Sequence, residues 1–305
     1  MSGFSRDWLA LREPYDAAAR ERAASQGLAC WPPACRAASP SDATLSILDL
    51  GGGTGANPRF LAPRLAGPQS WRVIEHDTGL LGALPQAMAD WAARAGVTCH
   101  AQGEGVELAG AASWSARVEP VVLDLACRLH EVPFAGAHLV TASALLDLVS
   151  AQWLDALVAH CAAARSAVHF ALSYDGRIAW REPHPDDGWL RNALNRHQLG
   201  DKGFGPALGP AAAGVARARL AEAGYLTHSA RSDWHVGPHD VALQRALIDG
   251  WAAAAAEVDP AQRDRARAWR RVRLVALSAG RSSLSVGHVD LVGWPTGAAG
   301  VTAAV

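Results

Sequence analysis

The feature that most constrains the fold is a run of glycines placed directly after a short apolar segment. Residues 47–56 read Ile-Leu-Asp-Leu-Gly-Gly-Gly-Thr-Gly-Ala, with glycines at the alternate positions Gly51, Gly53 and Gly55. A side chain at these positions would prevent the backbone from turning tightly and from lying against a ligand. The helix predicted to follow points its free N–H groups at whatever lies over the loop. The segment therefore predicts a strand, a tight turn and a helix that together bind a nucleotide.

Two families of nucleotide-binding proteins have a turn of this kind. Gly51, Gly53 and Ala56 fit the G-x-G-x-x-G/A fingerprint of the dinucleotide-binding enzymes. The run from Asp49 to Gly55 also resembles motif I of the class I S-adenosylmethionine-dependent methyltransferases, which includes an acid two residues before the first glycine. Oxidoreductases rarely have an acid there, so Asp49 favours the methyltransferase resemblance. That resemblance implies that Asp49, Gly51, Gly53 and Gly55 belong to the cofactor site.

The second predicted strand, residues 70–74, is followed by Glu75-His76-Asp77. An acidic side chain at this place can accept hydrogen bonds from both ribose hydroxyls of an adenosine. The methyltransferase resemblance implies that Glu75 is the ribose ligand and that Asp77 caps the next helix. Asp77 as the ribose ligand is the alternative.

Two further predicted strands end in residues that the same resemblance assigns to the site. The third strand, residues 118–125, ends in Asp124-Leu125, and the fourth, residues 137–143, ends in Ser143. In the methyltransferase family the acid after strand three binds the adenine amino group, and the next residue provides a backbone N–H. The fourth strand ends beside the sulfonium. Acids at three successive strand ends make the resemblance more specific than the glycines alone.

The order of the predicted elements indicates an α/β fold. We expect a seven-stranded, mostly parallel, doubly wound sheet, with an N-terminal helical cap and helical insertions. The last strand, residues 283–294, is expected to return antiparallel, which is a signature of the methyltransferase family that dehydrogenases lack. Strand five is predicted at residues 168–173 and strand six at residues 225–236, and the first helix, residues 7–25, is predicted to break at Pro14.

The domain boundaries are predicted from the same pattern. The expected parts are an N-terminal helical cap and linker (1–43), a methyltransferase domain (44–295) with a substrate-side insertion (about 174–212) and a helical insertion (about 238–280), and a flexible tail (296–305). The segment between predicted strands two and three, residues 96–116, is longer than is usual in the methyltransferase family and is rich in glycine. It is interpreted as a further insertion.

In the predicted cap, Arg12 and Tyr15-Asp16 resemble residues that close over the methionine end of the cofactor in the methyltransferase family. The motif is loose, and only Tyr15 is assigned to cofactor binding.

The segment from residue 186 to 208 is the main candidate for substrate chemistry. Lys202 is the only lysine in a chain with 28 lysines and arginines together, and it suits a site that needs a compact ammonium facing a carboxylate or phosphate. The alternative is a lysine on a solvated loop. His197 is the preferred general base, because an imidazole can take a proton from a hydroxyl, thiol or amine near neutral pH. The alternative is a surface histidine.

Other histidines and tryptophans are secondary candidates. His235 is a further catalytic candidate, His184 is a weaker one, and His288 is interpreted as structural. Four tryptophans are expected to cover the cleft, either as an aromatic wall for a flat or cationic substrate or as a hydrophobic lid. These are Trp8, Trp180, Trp189 and Trp234.

The composition restricts the partners. The formal net charge is −1, and no basic run gives the electrostatic footprint of a nucleic-acid-binding protein. No apolar stretch is long enough to span a membrane, and the N-terminus does not resemble a signal peptide. We therefore expect a cytoplasmic protein with a small-molecule substrate, no nucleic-acid partner and no membrane partner. A homo-oligomer is compatible with the sequence.

The cysteines do not form a recognisable metal motif. Five cysteines are scattered along the chain without C-x-x-C spacing, so we expect reduced thiols and no metal site. They are Cys30, Cys35, Cys99, Cys127 and Cys161. Cys127 and Cys161 are predicted to fill core positions.

Together these features predict a metal-independent class I methyltransferase that uses S-adenosyl-L-methionine and acts on a small metabolite, anionic or aromatic. Two alternatives stay open. One is an NAD-dependent oxidoreductase that uses the same glycine-rich turn. The other is a cofactor-binding protein without catalysis.

Overall fold

The computed structural model of the chain describes residues 5–25, 44–111 and 114–296. Within these residues ten strands form one mixed sheet. The strands are β1 (Leu45–Leu50), β2 (Gly67–Glu75), β3 (Thr98–Gln102), β4 (Gly105–Gly110), β5 (Trp114–Val122), β6 (Leu139–Ser143), β7 (Ala167–Trp180), β8 (Tyr225–Arg231), β9 (Trp234–Val236) and β10 (Leu284–Pro295).

Nine α-helices in the described ranges pack on the faces and on one end of the sheet. The helices are α1 (Arg6–Ser25), α2 (Ala56–Leu61), α3 (Thr78–Ala95), α4 (Leu125–Arg128), α5 (Ala151–Ala164), α6 (Asp187–Gln198), α7 (Ala212–Glu222), α8 (Val241–Val258) and α9 (Arg263–Ser278).

The strand order is β3-β4-β5-β2-β1-β6-β7-β10-β8, and β9 pairs with β10. The central strands β5, β2, β1, β6 and β7 are parallel, and β10 lies antiparallel between β7 and β8. The predicted doubly wound sheet with an antiparallel last strand is confirmed. It has ten strands instead of seven, because the hairpin β3–β4 extends it next to β5 and the sixth predicted strand is divided into β8 and β9.

The predicted end of strand five at residue 173 is wrong. β7 continues to Trp180, because its second half stays paired with β10 as far as the partner pair Leu284 and Trp180. Residues 174–180 are therefore part of the sheet, and the chain leaves it only after Trp180.

The predicted break of the first helix at Pro14 is also wrong. α1 runs through Pro14 without interruption. A proline removes one backbone hydrogen bond from a helix. Side-chain hydrogen bonds between α1 and the rest of the fold stabilise this helix. The Tyr15 hydroxyl donates to Asp240 over 2.8 Å, and the Trp234 indole donates to Asp16 over 2.9 Å.

Both faces of the parallel strands are buried, as is usual when helices cover a parallel sheet on each side. In β1, Leu48 and Leu50 face the apolar cluster that includes α5 and α7. Leu45 and Ile47 face the cluster that includes α3. Because side chains alternate along a strand, Asp49 faces the same side as Ile47, and a carboxyl group is thereby placed inside the core.

A third apolar cluster lies at one end of the sheet, where α1, α6, α8 and α9 pack on β7 and β10. Trp180 contacts Trp251 and Trp269 edge-on there, with ring centroids 6.2 and 6.0 Å apart. This cluster anchors α1 next to the glycine-rich turn, where Leu9 Cδ1 lies 3.2 Å from the place that a Cβ on Gly53 would take.

Candidate functional site

The glycine-rich turn connects β1 to α2 in a conformation that favours glycine. Gly51, Gly53 and Gly55 have φ angles of 65°, 54° and 79°, and this left-handed region strains other residues. The N–H groups of Gly51 and Gly52 donate to the Ile74 carbonyl over 2.8 and 3.2 Å. The turn is therefore fixed to the end of β2.

Two of these glycines are also required by close packing below the turn. A Cβ on Gly52 would lie 2.5 Å from both Asp49 Oδ2 and Val73 Cγ1, and a Cβ on Gly55 would overlap the Met88 methyl group. The backbone of the turn therefore lies directly on the core.

Asp49 lies beneath the turn and is fully buried. Its Oδ1 accepts a hydrogen bond of 2.7 Å from the Asn57 amide, which also donates to the Thr141 hydroxyl over 2.9 Å. Asp49 Oδ2 and Asn57 Oδ1 have no hydrogen-bond partner among the described residues. Burial raises the pKa of Asp49 to about 7, against the opposing effect of the Asn57 hydrogen bond. Asp49 therefore supports the turn from below and does not line the cleft.

Glu75 lies at the end of β2, next to the turn, and is largely buried. Its Oε2 accepts from the Gly53 N–H over 3.2 Å, and its Oε1 accepts from the N–H groups of His76 and Asp77 over 2.8 and 3.2 Å. A carboxylate has about four acceptor positions, so Oε2 can accept a further hydrogen bond from a ligand. Asp77 instead accepts from the Gly79 and Leu80 N–H groups over 2.8 and 3.1 Å, which confirms its predicted capping role.

Asp124 and Leu125 lie after β5, where α4 begins. Asp124 caps this helix by accepting from the Ala126 N–H over 2.9 Å, and the Cys127 thiol donates to it over 3.1 Å. These hydrogen bonds, led by that of Cys127, lower the pKa of the Asp124 carboxyl, which therefore stays ionised at neutral pH. Leu125 is the first residue of the helix, so its N–H has no partner within the helix. Its carbonyl accepts from the Trp153 indole over 2.7 Å.

These strand ends surround one cleft with a volume of about 500 Å³. Seven of the predicted site residues line it, namely Gly51, Gly53, Glu75, Asp124, Leu125, Ser143 and Lys202. Its charged lining consists of four acids (Asp16, Glu75, Asp77 and Asp124) and two bases (Arg12 and Lys202). The cleft therefore has an excess of negative charge, which suits a cationic ligand.

The other five predicted site residues do not line the cleft. Asp49 and Gly55 lie beneath the turn, as described above. Tyr15 points away from the cleft and donates to Asp240, and burial raises its pKa to about 12. The residues of α1 that do line the cleft are Leu9, Arg12 and Asp16, and the Arg12 guanidinium donates to Asp16 over 2.9 and 3.3 Å.

The two histidines predicted to be catalytic are also outside the cleft. His197, in the last turn of α6, has its Nε2 3.1 Å from Glu257 Oε2 on α8. The structure therefore does not place His197 where a general base would act on a ligand in the cleft. His235 is exposed on β9. The His197 ring lies against α8 because α6 packs on that helix. His235 lies on the exposed side of β9, which pairs with β10.

Lys202 does reach the cleft, from a short turn after α6. Asp201 Oδ1 accepts from the Gly203 and Gly205 N–H groups over 2.7 and 3.0 Å, which orders this turn. The Phe204 ring packs edge-on against Trp153 at a centroid distance of 5.3 Å. The Lys202 ammonium donates over 3.0 Å to the backbone carbonyl of His197. Phe204 contacts Trp153, and the Trp153 indole donates to the Leu125 carbonyl. The turn therefore lines the cleft near Leu125.

Several secondary candidates have structural roles. His288 is buried against Trp234, with ring centroids 4.9 Å apart, and burial lowers its pKa to about 3. Trp180 and Trp234 are buried in the third apolar cluster and do not line the cleft. His184 takes part in the turn before α6, where its N–H donates to Asp187 over 2.7 Å.

The cysteine predictions are mixed. Cys161 is fully buried, as predicted, but Cys127 is exposed, because α4 is a short surface helix. Cys99 is half-buried on β3, and Cys30 and Cys35 lie outside the described residues. In the ranges that the structure describes, no group of three or more His, Cys, Asp or Glu side chains could hold a metal ion. None of the helices in those ranges is long and apolar enough to cross a membrane.

Two polar residues near the cleft were not predicted from the sequence. Asn57, at the start of α2, joins Asp49 to Thr141, and Arg20, on α1, is buried beside α2. An asparagine two residues after the last glycine of the turn was a local signal for the first. Arg20 gave no such signal, because its burial depends on how α1 packs.

The parallel strands β5-β2-β1-β6-β7, followed by the antiparallel pair β10-β8, and the cleft at their carboxyl ends define the class of fold. The chain has the Rossmann-like class I fold of S-adenosylmethionine-dependent methyltransferases, as the sequence resemblance predicted.

Three comparisons with known proteins were made on the sequence and the structure. No protein-family model matches the sequence, and no curated protein matches it significantly. Similar solved structures include a cyclopropane-fatty-acyl-phospholipid synthase-like protein from Lactobacillus casei, with 14% identity, a TM-score of 0.49 and 96% of each chain covered. A cyclopropane synthase from Mycobacterium tuberculosis has 10% identity and a TM-score of 0.40, over 87% of this chain and 83% of its own.

A mycolic acid cyclopropane synthase complexed with S-adenosylhomocysteine has 10% identity and a TM-score of 0.38, over 81% of this chain and 78% of its own. At such identities the residues of this chain must themselves define what the cleft binds.

Proposed function

We propose that the protein transfers a methyl group from S-adenosyl-L-methionine to a small-molecule acceptor. The observation that carries this proposal is the convergence of the glycine-rich turn, Glu75, Asp124 and Leu125 on one cleft. These residues come from three neighbouring strand ends, β1, β2 and β5. They offer the donors and acceptors that an adenosine requires, and the acidic lining suits a sulfonium.

The residues present fit this cofactor. Glu75 Oε2, with only the Gly53 N–H bound, can accept from the ribose hydroxyls. Asp124, held ionised, can accept from the adenine amino group, and the Leu125 N–H can donate to the ring. Arg12 lines the same cleft, and its guanidinium can bind the carboxylate of the methionine moiety.

Bound in the cleft, the sulfonium supplies an already activated methyl group for in-line displacement by the acceptor. The protein therefore has to exclude water and align the acceptor, and such positioning can lower a barrier by several kcal/mol. The α1 residues Leu9 and Arg12, together with Lys202 and Phe204, cover the cleft from two sides. No metal ion is required for this reaction, and we propose that none takes part.

Lys202 is the remaining candidate among the residues predicted to act on the substrate. Lys202 lines the cleft, and its ammonium donates one hydrogen bond, to the backbone carbonyl of His197. We propose that it closes the turn of residues 201–205 over the bound ligands and contacts their polar groups. The small-molecule acceptor, the absence of a nucleic-acid partner and the cytoplasmic location remain parts of the proposal.

Labelled methyl transfer tests this function. The protein is incubated with a metabolite extract and S-adenosylmethionine that has a labelled methyl group, and small-molecule products are separated. Wild-type protein should yield a labelled product. Glu75→Ala should bind S-adenosylhomocysteine at least roughly tenfold more weakly, because it loses charge-assisted hydrogen bonds of about 1.5–3 kcal/mol each, and it should lose labelling at limiting cofactor.

The matched control is Glu222→Ala, which removes an exposed glutamate on α7 and should behave as wild type. Binding of S-adenosylhomocysteine without any labelled product would identify a cofactor-binding protein without catalysis. Binding of NAD instead would support the oxidoreductase alternative. Unchanged cofactor affinity in Glu75→Ala would remove this residue from the site.

A further inference from the structure

A second cavity, of about 420 Å³, lies between α1, α2 and α3 and is adjacent to the cleft. The two spaces have four lining residues in common, namely Asp16, Ala56, Asn57 and Ser143. Ser143 is the end of β6, the strand that the methyltransferase resemblance places beside the sulfonium. The second cavity therefore adjoins the cleft at Ser143.

The second cavity differs from the cleft in charge. Its lining contains four arginines (Arg20, Arg59, Arg64 and Arg94) against three acids (Glu13, Asp16 and Glu21). The cleft has the opposite balance, with four acids against two bases. The cleft therefore favours a cation, and the adjoining cavity favours an anion.

Arg20 is the group in this lining that lacks acceptors. It is 3% exposed, and its Nε and Nη2 atoms have no hydrogen-bond partner among the described residues. It stacks on the Phe60 ring, 4.0 Å from the ring centroid. Burial lowers its pKa to about 10, so it stays charged at neutral pH. A buried charged donor without acceptors is costly, and an anionic ligand would remove that cost.

Two of the three neighbouring arginines are already paired. Arg59 donates to both carboxylate oxygens of Glu13 over 2.7 and 2.6 Å, and Arg64 forms an ion pair with Glu21. Arg20 therefore differs from them, because the carboxylates whose charges act on it (Asp290, Asp16 and Asp49) do not accept its hydrogen bonds. Trp91 gives the same cavity an aromatic wall, while the Arg20 and Arg64 guanidinium groups lie 4.0 and 3.9 Å from the Phe60 ring centroid.

We propose that this second cavity is the acceptor pocket of the methyl transfer, and that Arg20 binds an anionic group of the acceptor, a carboxylate or a phosphate. A guanidinium fork matches either group in a bidentate geometry. Trp91 in the lining favours an acceptor with an aromatic or apolar body. This assignment rests on the proposed function, because it takes the cleft as the place of the methyl donor.

The test is binding of small anions to protein saturated with S-adenosylhomocysteine. The probes are phenylacetate, its neutral isostere phenylacetamide, and inorganic phosphate, each followed by protein-observed NMR titration. Phenylacetate should bind with a Kd of roughly 1 mM, and phenylacetamide should bind at least tenfold more weakly. Binding of phosphate in place of phenylacetate, with the same dependence on Arg20, would assign a phosphorylated acceptor.

Two variants locate the anion. Arg20→Met removes the guanidinium and should weaken anion binding at least tenfold. Ala17→Phe fills the second cavity from α1, at a residue that does not line the cleft. It should also weaken anion binding at least tenfold, while the buried charges stay intact. This variant therefore tests the anion site even if Arg20→Met does not fold. Arg267→Met, on an exposed arginine of α9, is the matched control and should bind like wild type.

The inference is overturned if phenylacetate and phenylacetamide bind equally, if neither anion binds, or if binding persists in both cavity variants. The affinity for S-adenosylhomocysteine is measured separately in each variant and should be retained in Ala17→Phe. A wild-type protein that does not bind S-adenosylhomocysteine would refute the proposed function, while the anion titration of the cofactor-free protein would still report on Arg20.

Discussion

Replacing Asp49 with asparagine should change how the stability of the protein depends on pH. Burial raises the pKa of this carboxyl group from the ordinary value of 3.8 to about 7. Between these two values the folded protein retains a proton that the unfolded chain has lost. The free energy of unfolding of the wild type therefore falls as pH rises, by about 1.4 kcal/mol per pH unit from this group alone.

Asparagine has no proton to lose, and its side-chain oxygen can still accept the hydrogen bond from Asn57. Asp49→Asn should therefore gain stability relative to wild type as pH rises, by about 2 kcal/mol between about pH 5 and pH 7. Below about pH 3 the difference between the two proteins should be constant, because Asp49 is then protonated in both states.

Urea unfolding at a series of pH values measures this difference, provided that the transitions are two-state. The matched control is Asp264→Asn, which changes a carboxylate whose side chain is 94% exposed and should follow the wild-type pH profile. A difference between Asp49→Asn and wild type that stays constant from about pH 5 to pH 7 would refute the reasoning. It would mean that the folded protein holds Asp49 ionised beneath the turn.

Two other predictions concern the turn and the cleft. Gly55→Ala should destabilise the protein by more than Gly96→Ala, because both glycines have a positive φ but only a Cβ at Gly55 meets a neighbour. The backbone strain alone costs about 1 kcal/mol in each variant. Thermal unfolding compares the two variants, and equal losses of stability would contradict the packing argument. Lys202→Met should lower methyl-transfer turnover at least roughly tenfold, by loss of a charge-assisted hydrogen bond. His197→Ala should leave turnover nearly unchanged, because alanine keeps the backbone carbonyl that binds Lys202, and a reversed order of the two effects in the same assay would restore His197 as the base.

The residues that could be predicted from the sequence are those fixed by the end of a strand. Glu75, Asp124, Leu125 and Ser143 all line the cleft, because parallel strands bring their carboxyl ends to one edge of the sheet. A local pattern of apolar residues followed by a glycine or an acid is enough to locate such positions. The same holds for the antiparallel β10, whose apolar run was visible.

Residues on helices could not be placed in this way. The rotation of a helix about its axis depends on its tertiary packing, so one turn separates Tyr15, bonded to Asp240, from Arg12, which lines the cleft. Similarly, packing of α6 on α8 turns His197 toward Glu257. The burial of Arg20 is a further case, because nothing within the polar sequence of α1 distinguishes this arginine from Arg22.

The most direct test of the account is isothermal titration of the purified protein with S-adenosylhomocysteine and, separately, with NAD. We predict saturable binding of S-adenosylhomocysteine at roughly micromolar Kd, corresponding to about −8 kcal/mol, and no measurable binding of NAD. Binding of NAD without binding of S-adenosylhomocysteine would contradict the account, since the acids at the three strand ends would then serve a different nucleotide.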